Sequence, residues 1–336
     1  MKKIFAIAVA CVALVGCAKN ELNNSRIDDA PIGFQAVVGL ESNRAGLDTF
    51  TDADQFVATA FLLNENKTWA ANSAEAVQYF VKQVVSWNGS TWTTATPYYW
   101  PASGSLTFYA HYPTASIGAP VAATIDASHN YIFADYNVDT HYNADLMVAD
   151  IVADKQANKV PVTFRHKLTK IGVTAIKADA TDVANRTVQL TSVKLTNLNN
   201  QGTFTLEPTG TNAWNGRSGS VAYELLATTP TVITAYGTQT PQTVATQQEF
   251  FLPQAFASED AKLIITYQIV TPVAGGAGTA TETIVKTLAL KDVITDSAFD
   301  MNDYYTLNII AGAAVQIEWE APSIVGWTSE TLNINL

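Results

Sequence analysis

Residues 160–176 read Val160-Pro161-Val162-Thr163-Phe164-Arg165-His166-Lys167-Leu168-Thr169-Lys170-Ile171-Gly172-Val173-Thr174-Ala175-Ile176. Val160, Val162 and Phe164 alternate with Thr163, Arg165 and Lys167, and period two over this length specifies a half-buried β-strand. The alternation resumes at Ile171, Val173 and Ala175 after Leu168. A long two-part strand is therefore expected to open the second half of the chain, behind a polar run from Asp154 to Lys159. His166 falls at the break in phase and is expected to face solvent in a structural role.

The remainder of the chain is written in the same style. Ile32, Phe34, Ala36 and Val38 alternate weakly, and Phe56 to Leu63 is an apolar run fit for a buried strand. Trp87 and Trp92 flank Asn88-Gly89, a hairpin signal. Tyr98 to Pro101 and Leu106 to Pro113 are aromatic segments ended by proline, and Gly118 to Asn130 shows no clear pattern. Val188 to Leu195 alternates with a slip in phase between Leu190 and Val193, which predicts a bulge. Leu263 to Val270 and Thr283 to Leu290 form a strand pair whose tip holds Gly275, Gly276 and Gly278. Tyr304 to Ile310, Val315 to Trp319 and Leu332 to Leu336 follow as strands, and Asp296 to Asn302 as a single turn. No long amphipathic helix is evident. Many short strands between turn signals argue for an all-β chain, with one β-sandwich in each half.

Composition agrees. The 336 residues suffice for two cores. Charged residues make up 15%, below the roughly 25% of an average soluble protein, and aromatic residues 10%. Lys2 and Lys3 precede an apolar run from Ile4 to Val15, too short to span a bilayer and shaped like an export signal. Leu14-Val15-Gly16-Cys17 then looks like a lipobox, followed by a polar tail at Lys19, Asn20 and Glu21. Residues 1–16 are accordingly expected to leave by cleavage between Gly16 and Cys17, with diacylglycerol on the Cys17 sulfur and an acyl chain such as palmitate on its amine. Loss of Lys2 and Lys3 leaves 17 basic residues (19 less two) against 30 acidic, a net charge of −13. So acidic a body is a poor partner for nucleic acid or anionic lipid. Of the two cysteines, Cys11 departs with the signal and Cys17 is capped, which excludes disulfides, thiol nucleophiles and cysteine zinc sites from the mature chain.

Other chemistry is thin. His111, His129, His141 and His166 have neither metal nor triad spacing. His141 near Asp139 and Asp145 reads as a chance cluster in a loop-rich region. The Gly275 to Gly278 run lacks the Lys-Ser/Thr end of a phosphate loop. Asp135, Asp139 and Asp145, like Asp292, Asp296, Asp300 and Asp303, lack the calcium-loop pattern. No cofactor, metal or catalytic group is expected. Trp87, Trp92, Tyr98, Tyr99 and Trp100 suit a sugar-stacking platform, which supports an alternative reading as a surface glycan-binding lipoprotein. Their strand spacing favours the core for most of them.

Taken in order, these pieces resemble the fimbrillin family, the subunits of type V pili. The resemblance rests on the lipobox at Cys17, Ile32-Gly33-Phe34-Gln35-Ala36 with Asn43-Arg44-Ala45, and Tyr99-Trp100-Pro101 with Leu106 to Pro113. It continues through Asp145-Leu146-Met147, Val162 to Leu168, Phe251-Leu252-Pro253-Gln254, Tyr304 to Ile309 and Trp327. The glycine usual before the Tyr-x-Leu strand is replaced by Met301-Asn302-Asp303.

The resemblance implies two transthyretin-like β-sandwiches in series, divided here as 45–158 and 159–336. Ahead of them stands a lipidated propeptide, 17–44, carrying the first strand. It further implies an outer-membrane lipoprotein precursor, cleavage by a trypsin-like surface protease, and polymerisation with other subunits by strand exchange into a surface fimbrium that supports adhesion. Arg44 lies in a loop of small residues between a weak strand and a strong one, and such loops are where proteases cut. The expected scissile bond is Arg44–Ala45. Leu332, Ile334 and Leu336, alternating with Asn333 and Asn335, are the expected donor-strand residues.

Overall fold

The computed structural model describes residues 31–38, 50–114, 123–140, 144–178, 186–247, 249–256, 260–273, 275, 278–294, 296–312 and 328–335. Cys17, Arg44, Ala45, His141, Leu336 and the Val315 to Trp319 segment lie outside these. Within them the chain is nearly all β, with 24 strands and only two one-turn α-helices.

Seven strands close into a ring. In order around it they are Gln55–Leu63, Val77–Trp87, Trp92–Thr94, Phe34–Val38, Val160–His166, Met147–Ala149 and Ser105–Tyr112, and the last pairs back onto the first. Closure removes the open sheet edges that invite foreign strands. Inward positions fill the ring with large side chains. Phe34, Phe56, Phe108 and Phe164 are fully buried, and Phe80, Trp92, Trp100 and Tyr112 nearly so. The inward phase of Val160, Val162 and Phe164 is as expected.

The second apolar cluster gathers three further sheets. One carries Gln242–Val244, Thr169–Lys177, Asp303–Ala311 and Thr328–Asn335 in that order. Another carries Val221–Glu224, Thr187–Leu198, Lys262–Pro272 and Thr279–Ala289. Its register shifts between Leu190 and Ser192, where the slip in phase predicts a bulge. The third joins Tyr131–Asn137 to Gln201–Leu206, so strand pairing crosses residue 158 from both sides.

Three features of these elements differ from expectation. Val160–His166 does not open the second half; it pairs with Phe34–Val38 and Met147–Ala149 inside the ring. His166 is not solvent-facing but buried, with Nδ1 2.5 Å from Asp145 Oδ2. Its parity explains this, because His166 shares the phase of Val160, Val162 and Phe164. In addition, Asp296 to Asn302 holds a short strand, Ala298–Phe299, paired with Gln254–Ala255.

Candidate functional site

The groove occupied by Phe34–Val38 is the most specific construction in the ring. On one flank the strand makes a parallel ladder of five pairs, from Phe34 opposite Val160 to Val38 opposite Phe164. On the other it has a single ladder pair, Phe34 with Trp92, and a bridge from Pro31 to Tyr99. Ile32 N donates to Tyr98 O at 2.7 Å, and Val160 N donates to Gly33 O at 2.9 Å. Among the described residues this strand is all that connects Trp92–Thr94 to Val160–His166.

Side chains divide by parity. Ile32, Phe34 and Val38 are buried, while Gln35 and Val37 point outward. The Phe34 ring meets Phe56 and Phe108 edge-on, with centroids 5.7 and 5.8 Å away. Three buried apolar side chains at roughly 1.5–3 kcal/mol each contribute about 5–9 kcal/mol to seating the strand. The groove without its strand would therefore be a long apolar slot floored by phenylalanine.

The other terminal strand, Thr328–Asn335, lies at the edge of its own sheet. It runs parallel to Asp303–Ala311 from Asp303 opposite Thr328 to Ile310 opposite Asn335, which sets Leu332 opposite Leu307. Ile334 is fully buried. Both terminal strands thus carry apolar residues at every second position and run parallel to their principal neighbour.

Between the ring and the second cluster the chain turns at Lys167. Lys167 N donates to Leu146 O at 2.8 Å, and Trp214 Nε1 donates to Lys167 O at 2.6 Å. The Lys167 side chain, assigned to the outward phase by alternation, is buried, with its ammonium 5.6 Å from the Phe204 ring centroid. Burial pushes this lysine down to about 8, with the Asp150 carboxylate opposing the shift and Arg165 adding to it. A cleft of about 570 Å³ opens beside it, lined by Trp69, Asp150, Asp154 and Asn212 among others. Periodicity does not reveal this arrangement, because it depends on residues brought from four separate stretches.

Other candidates among the described residues pack or hydrogen-bond within the fold. Trp92 and Trp100 turn into the ring core, and Trp87 and Tyr98 are half-buried against it. His111 is buried against Tyr131, and Asp139 accepts from Tyr223 Oη at 2.6 Å. Among the described residues no three His, Cys, Asp or Glu side chains converge as metal ligands.

A closed ring with a strand-filled groove, joined to a second all-β body, defines a class of strand-built proteins. The fimbrillin-like family model matches residues 43–327, and the chain belongs to that family. Among solved structures it is similar to a fimbrial protein from Bacteroides vulgatus, with 17% identity and a TM-score of 0.62 over 83% of this chain and 94% of the other. It is also similar to a protein from Bacteroides uniformis provisionally described as a cell adhesion protein, with 19% identity and a TM-score of 0.46 over 84% and 93%. Comparison with curated proteins gives no match.

Proposed function

We propose that this chain is a structural subunit of a cell-surface fimbrium, exported as a lipoprotein through Cys17 and polymerised by strand exchange. Family membership supports the fimbrial role and the surface location. The observation that carries the exchange step is the Phe34–Val38 strand, which fills an apolar groove yet is held by a full ladder on only one flank. Cleavage after Arg44 would cut it from the ring. A tethered strand rebinds at a local concentration in the millimolar range, and a severed one does not. The vacated groove then favours a strand from another subunit. Thr328–Asn335 has the matching alternation and the matching preference for a parallel neighbour. Main-chain hydrogen bonds would supply affinity, and alternate side chains specificity.

Truncation after Glu330, assayed by electron microscopy after trypsin-like processing, tests this. The truncated chain should fold and be excluded from filaments formed by the full chain. Normal polymerisation of the truncated chain would remove the donor role from the C-terminal strand. A chain that cannot fold would assign the strand to its own core.

A further inference from the structure

The hairpin Lys262–Pro272 and Thr279–Ala289 ends one sheet, and its second strand is the edge. All eleven residues pair inward, from Lys262 opposite Ala289 to Pro272 opposite Thr279, without a shift in register. Among the described residues nothing pairs on the outer side. At about 3.4 Å per residue the open edge is roughly 37 Å long. Natural proteins shorten such edges, bulge them or place proline in them. Thr279–Ala289 shows none of these devices. It is largely exposed, with Val285 at 58%.

The strand does carry two charges, Glu282 and Lys286. They share a face, lie across from Ile269 and Ile265 on the neighbouring strand, and make no ion pair with any described residue. About 14 Å of strand separates them, too far for mutual contact. An unpaired charge on the inner face of an edge turns away most incoming strands. One partner is excepted. A second copy laid antiparallel about Ile284 sets Glu282 of each copy opposite Lys286 of the other, Thr281 opposite Thr287 and Thr283 opposite Val285. Moving the centre by one residue to either side sets both charges against aliphatic residues. Parallel pairing in register would set like charges side by side.

We propose that Thr279–Ala289 is a self-recognition edge, on which two copies of this chain join antiparallel about Ile284 into one continuous sheet. The pairing is isologous, so each contact occurs twice about the two-fold axis. The two Glu–Lys pairs select the register, because the neighbouring registers of the same pair of strands leave the charges unmatched. If the chain polymerises as proposed above, the edge repeats along each filament and becomes a lateral adhesive surface, where many weak contacts act together.

Sedimentation of the full chain at rising concentration tests the edge without requiring filaments. Wild type should form a dimer. Glu282→Lys alone and Lys286→Glu alone should each weaken it by about tenfold or more, equal to about 1.4 kcal/mol. The double exchange E282K/K286E should restore it, and an equimolar mixture of the two single variants should form the mixed dimer. Circular dichroism verifies that each variant is folded. A monomeric wild type, single variants as dimeric as wild type, or a double variant without rescue would each overturn the proposal. Strand exchange does not read these charges, so filament assembly by the single variants should persist while lateral association is lost.

Discussion

His111, on the Ser105–Tyr112 strand of the ring, is hydrogen-bonded through Nδ1 to the hydroxyl of Tyr131, on a strand of the second cluster. Both residues are buried, so the bond lies where the two bodies meet. Burial pushes the His111 imidazole down to about 3. It is therefore neutral in the fold and shares a hydrogen bond with Tyr131 Oη.

Acid stability follows from that depression. The unfolded chain protonates this histidine near pH 6.5, whereas the fold resists until about 3. Between those values the unfolded state binds more protons, so stability falls as pH falls, by about 1.4 kcal/mol per pH unit. His111→Asn keeps a hydrogen-bonding partner for Tyr131, donor or acceptor, without titrating. The stability difference between wild type and this variant should change by about 2 kcal/mol from pH 7 to pH 5, measured by urea unfolding. Parallel curves would rule out a neutral buried His111.

Lys167 gives the opposite test on the alkaline side. Its folded value of about 8 lies below the 10.5 of a free lysine. The penalty for holding the charged form in the fold is complete below pH 8 and is relieved as pH rises toward 10.5. Lys167→Met retains the length of the side chain and removes the charge. It should stabilise the chain by about 1–3 kcal/mol at pH 7, net of the lost contact with Phe204. That advantage should shrink by about 2 kcal/mol at pH 9.5. A destabilised variant would show that the ammonium is satisfied where it lies.

How much of this was legible follows from what alternation encodes. It names a face and not a neighbour. The inward set Val160, Val162 and Phe164, the bulge after Leu190 and the hairpin at Asn88-Gly89 are local patterns, and all three stand in the structure. The parallel ladder between Phe34 and Val160 joins strands more than a hundred residues apart, and no local pattern specifies it. Ring closure was therefore out of reach of local patterns, and a groove under the first strand was expected only through the family resemblance. His166 could have been placed by parity with Phe164. Lys167 could not, since lysine is almost never buried and the break at Leu168 ends the phase. Cys17 and Arg44 stand in short local patterns, so a sequence can nominate them, and both lie outside the described residues.

The groove itself can be probed at Phe34. Phe34→Ala removes a ring packed against Phe56 and Phe108 and should cost about 3–5 kcal/mol by chemical denaturation. Val37→Thr, on the outward face of the same strand, should stay within about 0.5 kcal/mol of wild type. Equal effects at the two positions would mean that the strand is not seated by its inward side chains.

The last prediction concerns the tether. Seating of Phe34–Val38 was put at about 5–9 kcal/mol from burial, and a donor strand of similar apolar content recovers a similar amount. Exchange is then close to balanced in contacts, and the covalent link decides its direction. While the link is intact the resident strand competes at an effective concentration in the millimolar range, above that of any donor in dilute solution. Arg44→Ala should therefore leave the chain folded, with its stability within about 0.5 kcal/mol of wild type, and unable to polymerise after trypsin-like treatment. Processed wild type should assemble, with Ala45 as its first residue by N-terminal sequencing. A fragment beginning elsewhere would displace the site from Arg44. Filaments from the uncleaved variant would show that the resident strand leaves without being cut, and that burial around Phe34 does not control assembly.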